Sequence, residues 1–254
     1  MKDMEPGRLE QVETDASAHE EKILASWKAN ATTWIQAVEQ GGIRSTEATT
    51  AQAIVKAVLD YGVRGGAVLD VGCGEGWLTQ VLADKGFVAT GVDATTDLIG
   101  HARHKCRGQF VVGEYSNLAN LGLGRFDLVV CNFSLFGDQS VRQFLEALSS
   151  LLTGNGYCLI QTLHPLAFVS NEEAYEDHWR SGTWAGLPGE FKEAAPWFFR
   201  TLEGWSRDFR EAGLAVHEIR EPRVRGELPR SIIYILKHDP GGQPQKALNL
   251  CNVK

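Results

Sequence analysis

The chain has 254 residues, 43% hydrophobic and 22% charged, with 25 Lys and Arg against 32 Asp and Glu for a formal net charge of −7. A chain this long buries roughly three-quarters of its unfolded surface, in one α/β domain or two small ones. The acidic balance argues against nucleic acid as the main partner, because such binding draws on a basic surface. No apolar run reaches the roughly 18 to 20 residues of a membrane helix, and the opening MKDMEPGRLEQVETD is too acidic and polar for a signal peptide. Five cysteines without Cys-x-x-Cys spacing read as reduced thiols of a cytoplasmic protein.

Along the chain, the segment up to about residue 15 reads as loose. Residues 17–40 follow a helical period that puts Ile23, Trp27, Trp34 and Val38 near one face, and Gly41-Gly42 stops it. A second helix is expected over 45–61. Strands at 67–71, 87–92, 109–112, 126–131 and 157–162 then alternate with helices at 75–85, 96–107 and 140–152, the pattern of a parallel sheet covered on both faces. Residues 164–200 break the rhythm with many aromatics, among them Phe168, Trp179, Trp184, Trp197 and Phe198. A helix at 201–212 and strands at 214–219 and 231–237 follow, and a turn-rich tail ends the chain. The division expected is a tail and helical cap over 1–62, a core over 63–237 with an insertion at 164–200, and a loose tail over 238–254.

The sharpest signal is VLDVGCGEGW, residues 68–77, where a strand hands over to a helix. Ligands of open α/β sheets bind at such strand ends, and glycine lets a ligand approach the main chain. Gly72, Gly74 and Gly76 give G-x-G-x-G. The dinucleotide fingerprint G-x-G-x-x-G would need glycine where Trp77 stands, which disfavours a dehydrogenase. Asp70, just before the turn, disfavours a pyrophosphate and favours a cation. Asp93 ends the next strand at roughly the 20-residue distance expected of a ribose-binding carboxylate. A cationic, ribose-bearing ligand without phosphates is what these residues ask for, and S-adenosyl-L-methionine meets that description.

VLDVGCGEG, GVDAT, FDLVVCNFSLF and LLTGNGYCLIQTLHP together resemble the class I S-adenosylmethionine-dependent methyltransferases, in the small-molecule branch of the ubiquinone- and menaquinone-biosynthesis methylases. The resemblance implies a seven-stranded Rossmann-like sheet, parallel except at an antiparallel edge pair formed by 214–219 and 231–237. It implies that Asp70, Gly72, Cys73 and Gly74 line the methionine end of the cofactor. Asp93 would then take the ribose, Ala94 would lie beside the adenine, and Glu114 with Tyr115 would read its amino group. Asn132 and Phe133 would lie under the sulfonium, and Arg44 would pair the cofactor carboxylate. Trp77 borders this site, and Trp34 with Trp27 either closes the cleft or staples the first helix to the sheet. Cys73 reads as a small residue permitting close approach, not as a nucleophile.

Methyl transfer from a sulfonium is an in-line displacement that needs alignment and exclusion of water and no metal. An acceptor hydroxyl or protonated amine also needs a base. His164, directly after the strand at 157–162, is the first candidate, and His178 within the aromatic insertion is the second; each is otherwise a structural histidine. The insertion reads either as an acceptor pocket roofed by Trp179, Trp184, Trp197 and Phe198 or as an element needing aromatics for its own small core. The function expected is methyl transfer to a small, apolar or aromatic metabolite, on oxygen. The alternatives are a small-molecule N- or C-methyltransferase, a macromolecule methylase or a non-catalytic cofactor-binding protein. Asn132-Phe133-Ser134-Leu135 lacks the prolines of the Asn/Asp-Pro-Pro-Tyr/Phe tetrad of base and glutamine methylases. The N-terminal helices are read as a lid or as a homodimer surface.

Overall fold

A computed structural model describes residues 6–41, 44–169, 174–223, 226–239 and 241, with side chains from residue 17 in the first helix and from residue 49 in the second. Strand β1 (Ala67–Val71) lies inside a seven-stranded sheet. On one side come β2 (Val88–Asp93) and β3 (Gln109–Val112), and on the other β4 (Phe126–Asn132) and β5 (Leu152–Leu163), all parallel. Strand β9 (Ser231–His238) pairs antiparallel with β5, and β8 (Leu214–Arg220) pairs antiparallel with β9 at the edge. The order β3-β2-β1-β4-β5-β9-β8 is the seven-stranded sheet expected, with its antiparallel pair at the expected edge.

The central strands are almost wholly buried, as parallel strands covered on both faces must be. Leu69, Val129, Cys158 and Ile160 face a core closed by α5 (Gln139–Leu151) and α6 (Leu202–Glu211). Their neighbours Val68, Leu128, Val130 and Leu159 face a second core under α2 (Arg44–Tyr61) and α3 (Trp77–Asp84). The alternation follows from the two-residue period of a strand. Helix α4 (Thr96–Lys105) joins β2 to β3 and buries Leu98, Ile99 and Ala102. The thiols of Cys73, Cys106, Cys131 and Cys158 are free, and burial raises the pKa of each. Among the described residues no helix is long and apolar enough to cross a membrane.

Two elements differ from expectation. Helix α1 spans Pro6–Glu39, so the segment expected to be loose is helical from Pro6. Proline suits a first helical turn, and nothing between it and Gly41 breaks the helix. Strand β5 begins at Leu152, not residue 157, because Leu152 pairs with Phe126 and Tyr157 with Leu128 across a shift in register. The insertion is short on regular structure: a 3₁₀ turn at Pro165–Phe168 and a ribbon of β6 (His178–Arg180) and β7 (Trp197–Phe199). The tail from residue 242 onward lies outside the described residues.

Helix α1 is fastened at several points along its length. The Glu20 carboxylate accepts from the backbone N–H of Asp138 (2.7 Å) and of Ser140 (3.3 Å) and from the Ser140 hydroxyl (2.7 Å). It therefore caps α5, whose own N-cap Asp138 makes no side-chain cap bond. Farther along, the Ser26 hydroxyl donates to the Glu193 carbonyl, and buried Asn30 accepts from the Lys192 N–H at 2.7 Å. The insertion and α1 are thus one covering layer.

Candidate active site

The strand order reverses between β1 and β4, and at such a switch point the connections on either side diverge to leave a crevice beyond the carboxyl ends. A cleft of about 750 Å³ lies there. Its floor is the β1–α3 turn, the end of β2 at Asp93–Thr95 and the end of β4 at Asn132–Ser134, and α1 roofs it with Ile23, Trp27, Trp34 and Val38. These are the four residues whose period marked one face of the helix.

The turn is left-handed at all three glycines: φ is 73° at Gly72, 56° at Gly74 and 90° at Gly76. A Cβ on Gly72 would stand 2.3 Å from Cβ of Ser134, whereas a Cβ on Gly74 meets nothing within 4 Å. Gly72 is therefore required by packing, and Gly74 opens onto space. Asp93 fixes the turn: its Oδ2 accepts from the Gly74 N–H at 2.9 Å and its Oδ1 from the Thr95 N–H at 2.8 Å. Burial raises its pKa, against these two bonds. Asp70, 2% exposed, lies beneath the turn and outside the cleft lining. Burial pushes its carboxyl up to about 7, although the Thr79 hydroxyl donates to it at 2.8 Å.

Trp34, Gly72, Cys73, Gly74, Trp77, Asp93, Ala94, Tyr115, Asn132 and Phe133 are brought together on this one cleft. The Tyr115 hydroxyl is already committed to the Ser134 carbonyl at 2.8 Å. Phe133 is the one non-glycine residue of the described set with a positive φ, 51°, and such strain concentrates at functional sites. Glu114 is exposed and outside the lining, at the start of the 3₁₀ turn Tyr115–Asn120. The side chain of Arg44 lies outside the described residues.

Neither histidine reaches the cleft. His164 is fully buried, its Nδ1 accepts from the Leu166 N–H at 3.1 Å, and its Nε2 lies 2.9 Å from Glu221. An accepting Nδ1 carries no proton, so Nε2 is the donor and both nitrogens are occupied. His178 sits on the ribbon, Nδ1 2.7 Å from the Glu176 carbonyl and Nε2 accepting from Arg180 at 3.2 Å. The insertion aromatics build a small core of their own. Trp179 packs on Phe198 and His19, Trp197 on Phe168 and Phe199, and Trp184 on Phe191. None of them is on the cleft lining among the described residues; they meet lining residues through Trp184 against Trp27 and the Phe198 N–H bonded to the Phe136 carbonyl.

Glu75 was not singled out by the sequence. Only 6% exposed, it lines the cleft; Oε2 accepts from the Trp34 indole N–H at 2.7 Å and Oε1 is buried with no partner among the described residues. Burial raises its pKa. Its one sequence signal is an acid between two glycines of the turn, and nothing there shows that Trp34, 41 residues earlier, meets it. Oδ1 of Asn132 is a second buried acceptor on the same cleft with no partner among the described residues. His101 of α4 also lines it.

A glycine turn at the switch point, a carboxylate ending the next strand and unpartnered buried acceptors define the ligand cleft of a doubly wound α/β protein. Residues 43–219 match the family model described as a methyltransferase domain, and the chain belongs to that family of enzymes. A provisionally named methyltransferase of Geobacillus sp. (strain WCH70) is 30% identical over 169 residues, 59% of this chain and 68% of its own length. A ubiquinone biosynthesis O-methyltransferase of Methylococcus capsulatus is 32% identical over 105 residues, 39% of this chain; the match spans less than half of that relative, 44%. The fold is also that of an S-adenosylmethionine-dependent methyltransferase from Clostridium acetobutylicum. It is 18% identical, with a TM-score of 0.59 over 82% of this chain and 99% of that one.

Proposed function

We propose that the protein transfers the methyl group of S-adenosylmethionine to a small, apolar or aromatic metabolite, on oxygen, by in-line displacement. The observation that carries this reading is the meeting of two chemistries in one cleft. Asp93, Glu75 and Asn132 supply acceptors to its lining, and Ile23, Trp27, Phe133 and Phe136 supply apolar surface to the same lining. The acceptors suit a cation with a ribose. The fit is supported by two buried oxygens that lack donors and by the open space at Gly74. Oxygen is favoured by the similarity to ubiquinone biosynthesis O-methyltransferases.

When bound, the sulfonium supplies an electrophilic methyl group. The chain's own residues align and enclose. Asp93, fixed by two backbone amides, orients the ribose, and the Phe133 and Trp27 rings hold the acceptor in line and keep water out. With His164 and His178 committed elsewhere, a carboxyl or acidic hydroxyl, which ionises without an enzymic base, is the acceptor favoured, and His101 is the histidine that the cleft lining includes. The insertion supports the α1 roof by backing Trp27 through Trp184.

The test is incubation with methyl-labelled S-adenosylmethionine, a metabolite extract and a panel of aromatic acids and phenols. Label in an extractable methyl ester or ether is the expected result. Absence of transfer to any small molecule, or label on nitrogen or carbon alone, overturns the reading.

A further inference from the structure

The acid that faces the cleft from the glycine turn is Glu75 and not Asp70. Asp70 is held beneath the turn by Thr79. Glu75 keeps one oxygen on the Trp34 indole and has its other oxygen buried with no donor among the described residues. A buried carboxylate oxygen left without a donor is costly, and more so than a neutral acceptor. A bound group that brings an N–H and a positive charge removes that cost. Asn132 Oδ1, on the lining of the same cleft and without a donor among the described residues, asks for a donor as well and for no negative charge.

On the reading proposed above, on which this one rests, Asp93 takes the ribose. Leu98, Gly113 and Tyr115 flank the adenine at the β2–β3 side of the cleft. The amino-acid end of the cofactor is the part left for the region of Glu75, Trp34 and Asn132. That end carries one cation and one anion, and a buried glutamate attracts the first and repels the second. We infer that Glu75 is a cofactor-binding residue that accepts a hydrogen bond from the α-ammonium group of the methionine moiety, held in place for it by the Trp34 indole. Trp34 is then a positioning residue that ties the roof helix to the occupied site, since it belongs to α1 and Glu75 to the turn.

Calorimetry on the full chain, without acceptor, tests this with three ligands. They are S-adenosylhomocysteine, its deaminated analogue that keeps the carboxylate, and 5′-methylthioadenosine, which lacks the amino-acid end. Glu75→Gln is expected to weaken S-adenosylhomocysteine about tenfold, about 1.4 kcal/mol, and to leave the other two within about twofold. Trp34→Phe, which keeps the ring and removes the donor, is expected to move S-adenosylhomocysteine the same way by a smaller factor. Equal weakening of all three ligands by Glu75→Gln would show a structural role and overturn the inference, as would no weakening of any. A wild-type protein that binds none of the three would instead overturn the cofactor reading itself. The thermal midpoint of each variant shows whether it has folded.

Discussion

Gly72 and Gly74 share a left-handed backbone and differ in what surrounds them, so alanine at each separates folding from binding. Both substitutions carry the left-handed cost of a Cβ, about 1–2 kcal/mol. At Gly74 that is the whole effect on stability, because nothing lies within 4 Å. At Gly72 the new Cβ also stands 2.3 Å from Cβ and 2.7 Å from Oγ of Ser134, and 3.1 Å from the Tyr115 hydroxyl. Overpacking adds about 1–3 kcal/mol. Displacing Ser134 also disturbs two bonds at 2.8 Å, its hydroxyl to Val71 and Tyr115 to its carbonyl, each worth about 1 kcal/mol. Urea unfolding followed by tryptophan fluorescence should show Gly72→Ala losing on the order of 3–6 kcal/mol and Gly74→Ala about 1–2 kcal/mol. Calorimetry should give the opposite ranking for the folded proteins, with Gly74→Ala losing S-adenosylhomocysteine affinity at least tenfold because its methyl enters the ligand space. Adding Ser134→Gly to Gly72→Ala should recover roughly half the lost stability. Equal stability losses at the two positions, or wild-type affinity in folded Gly74→Ala, would refute the reasoning.

Asp70 sets a pH dependence of stability. The folded state holds its proton more tightly than the unfolded chain, so its contribution is most favourable below pH 3.8 and is lost as pH rises through about 7. That shift corresponds to on the order of 4 kcal/mol, and Asp70→Asn should flatten the decline between pH 4 and 7 by up to that amount; an unchanged slope in denaturation series at pH 5 and 8 counts against it. Replacing His164 with Gln should cost about 1–3 kcal/mol, since the Leu166 N–H and Glu221 lose their partner. It should leave kcat and its pH profile within about twofold, and a hundredfold fall in kcat in a folded variant would restore the base role. Glu20→Ala should cost about 1–3 kcal/mol by uncapping α5. It should also raise acrylamide quenching of tryptophan, because α1 loses its hold on the body of the protein; unaltered stability and quenching would show that the cap is not what seats the helix.

The alternation of strands and helices, the β1–α3 turn and Asp93 were legible because each depends on residues close in sequence. A two-residue or 3.6-residue period and a run of glycines are one-dimensional signals of local backbone geometry. The same holds for Ile23, Trp27, Trp34 and Val38, whose spacing marked the face that now roofs the cleft. What the sequence could not decide was which polar group meets which partner. Asp70 and Glu75 are both acids beside the turn, yet one is turned under it to Thr79 and the other is turned out to a tryptophan of another helix. His164 stands at the end of a core strand, as a base would, but the loop before β9 brings Glu221 to its ring and closes it off. The aromatics of the insertion were visible as a cluster, and only packing showed that they stack on one another and reach the site through Trp27. Local order follows from local sequence, whereas the direction of a side chain at a site is set by contacts between segments from nine to more than a hundred residues apart, which only the folded chain brings together.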